Sequence, residues 1–369
     1  MPDSEKRPRI LRPEIEAGRR LIVISDVHGN LPYLRGVLEK AGFGGDDLIL
    51  FLGDFLEKGP ESLSTLHAVM RLCQRGQAIA LMGNCDDWAA IFSDDDGGWG
   101  KNPLSYMQWR ECGLLWDMAL ALGEDPAQLR DFAAFRDRIG KRFPDEFAFL
   151  AGLPHAMEAG RYVFAHAGLR PGIPLEEQNV RELLKCDAFY RRGYSFDKWV
   201  VVGHYPVVLY GDEIVCANPL IDRQRHIVNL DGGCVLKDDG QLNALLIPDL
   251  NRDEFTWTAY DPFPLARVKE EQAASARSAY IRWGDSKVEV LERGEEFSRC
   301  RHVRTGYELD ILTRYLFEDG RYTNCNDCTD YVLPLQRGDT VSVVETCSRG
   351  YFVKHEGVSG WYFGELERR

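Results

Sequence analysis

Short apolar runs recur along the first two-thirds of the chain, and a polar turn follows each of them. RRLIVIS is a compact β-branched run, and LPYLRGVLEKAG follows with its apolar residues at helical spacing. DDLILFLG and SLSTLHAVMRLCQRG repeat that pair, and QAIALMG adds a further strand. Strand and helix in alternation predict a parallel sheet with helices packed on it. The runs do not alternate apolar with polar, which suits strands covered on both faces. From about residue 94 to 152 the pattern turns helical and irregular, with GLLWDMALALG and LRDFAAFRDRIGKRF, and predicts a helical insertion. Strands return in RYVFAHAG, KWVVVGHYP, HIVNLDGG, QLNALLIP and EFTWTAYD. Near Asp261 the character changes. PFPLARVKEEQAASARSA is polar and helix-prone and reads as a linker, and β-rich segments separated by turn residues follow from Tyr280 onward.

Composition narrows the class. The 369 residues, 44% of them hydrophobic, are enough for two domains with real cores. The formal charge of -13 argues against binding to nucleic acid or an anionic membrane. It also means that an anionic substrate must meet a local positive charge. No apolar run reaches the length of a membrane span, and MPDSEKRPRILRPEIEAGRR lacks the apolar core of a secretory signal. Ten cysteines without framework spacing read as reduced thiols, so a cytoplasmic protein is expected. Cys325 and Cys328 form one CxxC with no second CxxC or matched CxxH, and read as two thiols in a polar loop.

The turns after the strands carry the chemistry. DVHGN offers Asp26 and His28, and DFLEKGP offers Asp54, Glu57 and Lys58. NCDD offers Asn84, Cys85 and Asp86, HAGLRPG offers His166 and Arg170, and HYP offers His204. Open α/β sheets bind ligands outside the carboxyl ends of their strands. Two Asp, one Asn and three His suit a pair of divalent ions, with Mn, Fe or Zn as candidates. Two such ions about 3.5–4 Å apart clamp both flanks of a displacement. One carboxylate must bridge them, and Asp54 is the natural candidate.

DVHGN, GDFLEKG, GNCD, HAGLRPG and GHYP together resemble the motif ladder of the metallophosphoesterases. The resemblance is to the phosphoprotein phosphatase branch, which includes bacterial serine/threonine phosphatases and diadenosine tetraphosphate hydrolases. It covers about residues 20–261 and implies a four-layer αββα sandwich of class α/β. By resemblance, one metal takes Asp26, His28 and Asp54, and the other takes Asp54, Asn84, His166 and His204. Lys58 and Arg170 would bind the substrate phosphate, with Arg191 or Arg192 as supplements.

The sequence departs from the family pattern in three places. SDVHG replaces GDxHG, and the ligands survive. Glu57 and Lys58 stand where Asp and Arg are usual, so a point charge replaces a bidentate fork. Cys85 occupies the place of the His that protonates the leaving group, with Asp86 at the position of the acid that orients it. The thiol is either a small buried filler, with water supplying the proton, or a soft ligand or oxidisable group. In each case aryl phosphates and phosphoanhydrides should be favoured over serine phosphate. His67, His155, His226, His302 and His355 lie outside the motifs and read as surface or structural residues.

RYLF, DYVLPLQRGDTVSVVE and RGYFVKHEGVSGWYFGEL resemble an SH3-like barrel. The expected organisation is a catalytic domain at 1–265, a linker with joining strands at 266–311, and a small all-β SH3-like barrel at 312–369. The barrel would either contact a peptide or pack within the chain and shape its cleft. The expected activity is dinuclear, metal-dependent hydrolysis of phosphomonoesters, of serine/threonine phosphatase type, on a phosphoprotein or nucleotide. The alternatives are a nucleotide phosphoanhydride hydrolase and a metal-binding scaffold without efficient turnover.

Overall fold

The computed structural model describes residues 7–92, 103–320 and 322–368. Residues 94–102 of the expected insertion lie outside them. The chain divides into two units. The first is Met1–Pro206 with Pro219–Leu236 and Gly240–Tyr260, and the second is Val207–Asn218 with Lys237–Asp239 and Asp261–Arg369.

The first unit holds two sheets. The chain runs through β1 (Ile10–Leu11), β2 (Leu21–Ile24), β3 (Leu48–Phe51), β4 (Ala78–Ala80), β5 (Ala156–Ala159), β6 (Tyr162–Ala165) and β7 (Trp199–Val202). β8 (Val215–Cys216) belongs to the second unit, and β9 (Leu220–Asp222), β10 (Ile227–Asn229), β11 (Leu242–Ile247) and β12 (Thr256–Tyr260) complete the first. One sheet has the order β12-β11-β2-β3-β4 and the other β1-β5-β6-β7-β10-β9. β2, β3 and β4 are mutually parallel, as are β6, β7 and β10.

The uninterrupted apolar runs are explained by packing on both faces. Leu21 and Val23 of β2 share a core with Leu48, Leu50, Phe164, Val201 and Val228, drawn from both sheets. Ile22 and Ile24 face the other way, into a core shared with Leu34 and Val37 of α1 (Leu31–Lys40) and Leu66 and Val69 of α2 (Ser62–Gln74). On the outer face of the second sheet, Val163, Val200 and Val202 pack with Leu175, Leu183 and Phe189. That outer layer is thin, built from short 3-10 turns and the five-residue helix Val180–Leu184. The insertion contributes α3 (Pro103–Arg110), α4 (Leu114–Ala121), α5 (Phe132–Arg142) and α6 (Pro144–Gly152).

The second unit is all-β among the described residues apart from two 3-10 turns. Its larger sheet joins Leu366–Arg368, Leu265–Val268, Thr340–Cys347, Gly350–His355, Val358–Tyr362 and β8. A second sheet joins Glu308–Leu312, Phe297–His302, Lys287–Glu292, Tyr322–Cys325 and Leu316–Asp319, with its own core around Val288, Leu309 and Ile311. The helix-prone reading of the segment after Asp261 is corrected here. Leu265–Val268 is a strand with Ala266 and Val268 buried and Leu265 and Arg267 exposed, a period of two that fits a sheet. Its partners, Thr340–Ser342, lie far along the chain. No helix among the described residues is long and apolar enough to cross a membrane.

Candidate metal centre

Six strands of the two sheets end in a turn that carries a polar residue. Asp26 and His28 follow β2, Asp54 follows β3, and Asn84 follows β4. His166 follows β6, His204 follows β7, and Asp231 follows β10. Four of these residues have a left-handed backbone: Asp26 at φ 58°, His28 at 50°, Asp54 at 51° and His204 at 68°. Such a conformation costs about 1–3 kcal/mol at a non-glycine residue and persists only where its surroundings hold it. The turns hold one another. Asp26 N donates to Gly53 O at 3.2 Å and His28 N to Asp54 O at 2.9 Å. His204 N donates to Asp26 Oδ2 at 2.9 Å. Glycine is required at two close approaches. A Cβ on Gly83 would lie 2.2 Å from Asp54 Oδ1, and one on Gly203 would lie 2.2 Å from Asp26 Oδ2.

The outer nitrogens of the three imidazoles are engaged by acceptors. His28 Nδ1 lies 3.2 Å from Leu56 O, His166 Nδ1 3.1 Å from Leu52 O, and His204 Nε2 2.8 Å from Asp187 Oδ1. Carbonyl and carboxylate oxygens only accept, so these nitrogens carry the protons and the opposite nitrogens face inward. His28 Nε2 stands 3.7 Å from Asp26 Oδ1 and 4.0 Å from Asp54 Oδ2. His166 Nε2 stands 3.3 Å from Asp54 Oδ1 and 3.3 Å from Asn84 Oδ1.

These donors fit divalent cations. Asp26 Oδ1 and His28 Nε2 are buried without a hydrogen-bond partner, a costly state for polar atoms unless something sits between them. Ligand atoms of His28, Asp54 and Cys85 lie within 4.8 Å of one another, as do those of Asp54, His166 and His204. Asp54 is common to both groups. Burial, followed by the Lys58 charge, pushes the His28 imidazole down to about 3, which keeps it in the neutral form that ligates. Against burial, the Asp54 carboxylate pushes His166 up to about 9; a cation at that place would offset the same carboxylate. The Asn84 amide can stand two ways. With Oδ1 inward it faces imidazole nitrogens, and Nδ2 donates to Cys85 Sγ at 3.2 Å. Reversed, it would donate to His166, His204 and the Leu184 carbonyl and fill the place of a cation. The inward oxygen matches the donor set of the other group.

Residues 19–231 match the family model of the calcineurin-like phosphoesterases. The chain belongs to that family.

It is therefore a metallophosphoesterase, a hydrolase of a metal-dependent family. The asymmetrical bis(5'-nucleosyl)-tetraphosphatase PrpE of Anoxybacillus flavithermus is 24% identical over 253 residues, 62% of this chain and 90% of its own. Phosphodiesterase YfcE of Escherichia coli is 36% identical over 73 residues, 18% of this chain and 40% of its own. Among solved structures, a metallophosphoesterase from Sphaerobacter thermophilus covers 66% of this chain and 89% of its own, at 22% identity and a TM-score of 0.36.

The remaining expected residues of this phosphoesterase fall into different places. Cys85 is 7% exposed, and its amide donates to Asp54 Oδ1 at 2.7 Å. Burial, then the Asp54 charge, push its thiol well above the ordinary range. Asp86 is fully buried and spends both oxygens on the backbone. Oδ2 accepts from Asp54 N at 2.7 Å and Gly83 N at 2.9 Å, and Oδ1 accepts from Leu56 N at 3.2 Å. Lys58 is half-buried; against burial, the neighbouring Asp54 and Asp26 carboxylates hold its ammonium above the usual lysine value. Arg170 is elsewhere engaged. Its guanidinium makes a two-pronged pair with Glu182, and its side chain is 54% exposed. Arg191 and Arg192 are exposed in the turn Phe189–Arg192.

Two buried acids complete the surroundings. Asp231 is fully buried, with Oδ1 taken by Gly233 N and Oδ2 without a partner, within electrostatic reach of Asp26 and Lys58. It follows the apolar strand in HIVNLDGG, the same signal that marked the other turns. Glu57 turns away from the ligands toward the insertion. Its Oε1 accepts from Leu114 N at 2.8 Å, and Trp88 and Tyr106 stand within electrostatic reach of it. No sequence signal pointed to that reach.

Proposed function

We propose that this phosphoesterase hydrolyses phosphoanhydrides of nucleotides, in the manner that the name of its PrpE relative describes, and favours them over phosphoserine. Asp26, His28 and Asp54 would hold one divalent ion, and Asp54, Asn84, His166 and His204 the other, with Mn, Fe and Zn as the candidate metals. When bound, such ions supply Lewis acidity at the phosphoryl oxygens and make a nucleophile accessible at neutral pH. Lys58 offsets substrate charge next to the carboxylates, and the paired turns keep every ligand in place before substrate arrives.

One observation carries the preference for anhydrides. The turn after β4 offers the leaving group a buried thiol and a carboxylate already committed to three backbone amides. An alkoxide leaving from serine needs a proton donor, which is worth about 10²–10⁴-fold. A phosphate leaving from an anhydride needs little such help.

We further propose that Thr340–Cys347, Gly350–His355 and Val358–Tyr362, antiparallel in succession, form the SH3-like part expected within 312–369; Leu316–Asp319 and Tyr322–Cys325 pair instead within the second sheet. Ten free cysteines favour a reducing compartment such as the cytoplasm. The functional reading is tested by incubating metal-loaded protein with bis(5'-adenosyl) tetraphosphate and with a phosphoserine peptide, beside chelated controls. Metal-dependent release of nucleotides is expected to exceed peptide dephosphorylation. Faster release of phosphate from the peptide would overturn the reading.

A further inference from the structure

Three aromatic rings step outward from the turn that carries Cys85. Trp88 follows that turn and is 1% exposed. Tyr106 of α3 is half-buried, with its ring centroid 6.3 Å from that of Trp88 and the planes at 45°. Trp109, one helical turn further along, lies 6.4 Å from Tyr106 at 51° and is 74% exposed. The Arg110 guanidinium lies over the Trp109 ring, 5.3 Å from its centroid.

The inner end of this ladder is tied to the metal-bearing turns. The Trp88 indole and the Tyr106 hydroxyl both stand within electrostatic reach of Glu57, the residue before Lys58. Tyr106 is also within electrostatic reach of Cys85. The outer end is an indole left in water beside a cation, although the insertion buries Leu115, Met118 and Phe135 in the core shared with β2, α1 and α2. An indole 74% exposed with a guanidinium over its ring suits a flat ring that carries phosphate. Stacking of bases on aromatic side chains tolerates any base, because each has a π face.

We propose that Trp109 and Arg110 form a stacking platform for the nucleobase of the leaving nucleotide, with Tyr106 as its inner edge. The inference rests on the anhydride reading above and names what that reading leaves open, the side of the substrate that the insertion recognises. The base lies on Trp109, Arg110 meets its phosphates, and the scissile anhydride reaches inward to Lys58 and the ligand carboxylates. A substrate without a ring gains nothing from the platform.

The test compares metal-loaded wild type with Trp109→Ala and Trp109→Phe, using bis(5'-adenosyl) tetraphosphate and inorganic tripolyphosphate. Trp109→Ala should lower the ratio of kcat/KM for the dinucleotide to that for tripolyphosphate by about tenfold, mainly through KM. Trp109→Phe should restore most of it. AMP should quench tryptophan emission in the wild type and lose that part of the quench in Trp109→Ala. An unchanged ratio, or equal losses on both substrates, overturns the platform and leaves the anhydride reading standing. If the wild type hydrolyses neither substrate, the anhydride reading fails. The quench then decides the platform: equal quenching in wild type and Trp109→Ala overturns it, and a loss confined to the variant supports it.

Discussion

The backbone amide of Asp54 donates to the Asp86 carboxylate at 2.7 Å, so the residue shared by both ligand groups is held from behind by the acid next to Cys85. The same carboxylate takes the amides of Gly83 and Leu56. Asp86 thereby fixes the turn after β3 to the turn after β4. Its role in this arrangement is to position the ligands.

Removing Asp86 should therefore damage the scaffold as well as turnover. Asp86→Ala strands three amides, and each buried unsatisfied group costs about 1–3 kcal/mol. Chemical denaturation should show a lower midpoint, and metal titration a weaker affinity. An Asp86→Ala protein of normal stability and metal content, impaired only on alkyl phosphates, would show instead that Asp86 serves a proton donor.

His204 is held in the same indirect way, through the 2.8 Å contact of its Nε2 with Asp187. His204→Ala should abolish metal-dependent hydrolysis while the chain stays folded. Asp187→Ala frees the ring and should cost about 10–100-fold in metal affinity. Metal content by elemental analysis and binding by calorimetry check both. Near-normal turnover in His204→Ala with both metals retained would remove it from the ligand set.

Glu57 predicts a pH signature. Burial pushes its carboxyl up to about 7 from an ordinary 4.5, against the donor at Leu114, the polar groups of Trp88 and Tyr106 and the charge of Arg110. The folded chain then binds this proton more tightly than the unfolded chain. The stability contributed by the group is greatest below about pH 4.5 and falls as pH rises to about 7. The loss is on the order of 3 kcal/mol. Glu57→Gln cannot ionise, so the drop in unfolding free energy across that window should shrink in the variant. Parallel pH curves for the two proteins would show that Glu57 titrates normally.

Most of the expected ligand set was read from one rule, that each member follows an apolar strand, and parallel strands carry such ends to one edge of their sheet. Asp231 obeys the same rule and could have been read from HIVNLDGG. Arg170 shows the limit of that reasoning. HAGLRPG places it near His166 in sequence, but side-chain direction depends on the distant Glu182 that captures it. Glu57 was legible as a departure and not as a clamp, because its partner Leu114 lies 57 residues on. The strand Leu265–Val268 was hidden by the charges that follow it and by a pairing partner that lies beyond any local window.

A buried thiol at Cys85 is expected to leave basic leaving groups unprotonated. The most direct measurement is log kcat/KM for a series of phosphate monoesters of rising leaving-group pKa, from aryl to alkyl, on fully metal-loaded wild type and Cys85→His. The wild type should fall steeply along the series. Cys85→His should flatten the slope, with alkyl esters gaining up to about 10²–10⁴-fold relative to aryl esters. A flat wild-type series, with serine phosphate turned over as fast as an aryl phosphate, would contradict the account.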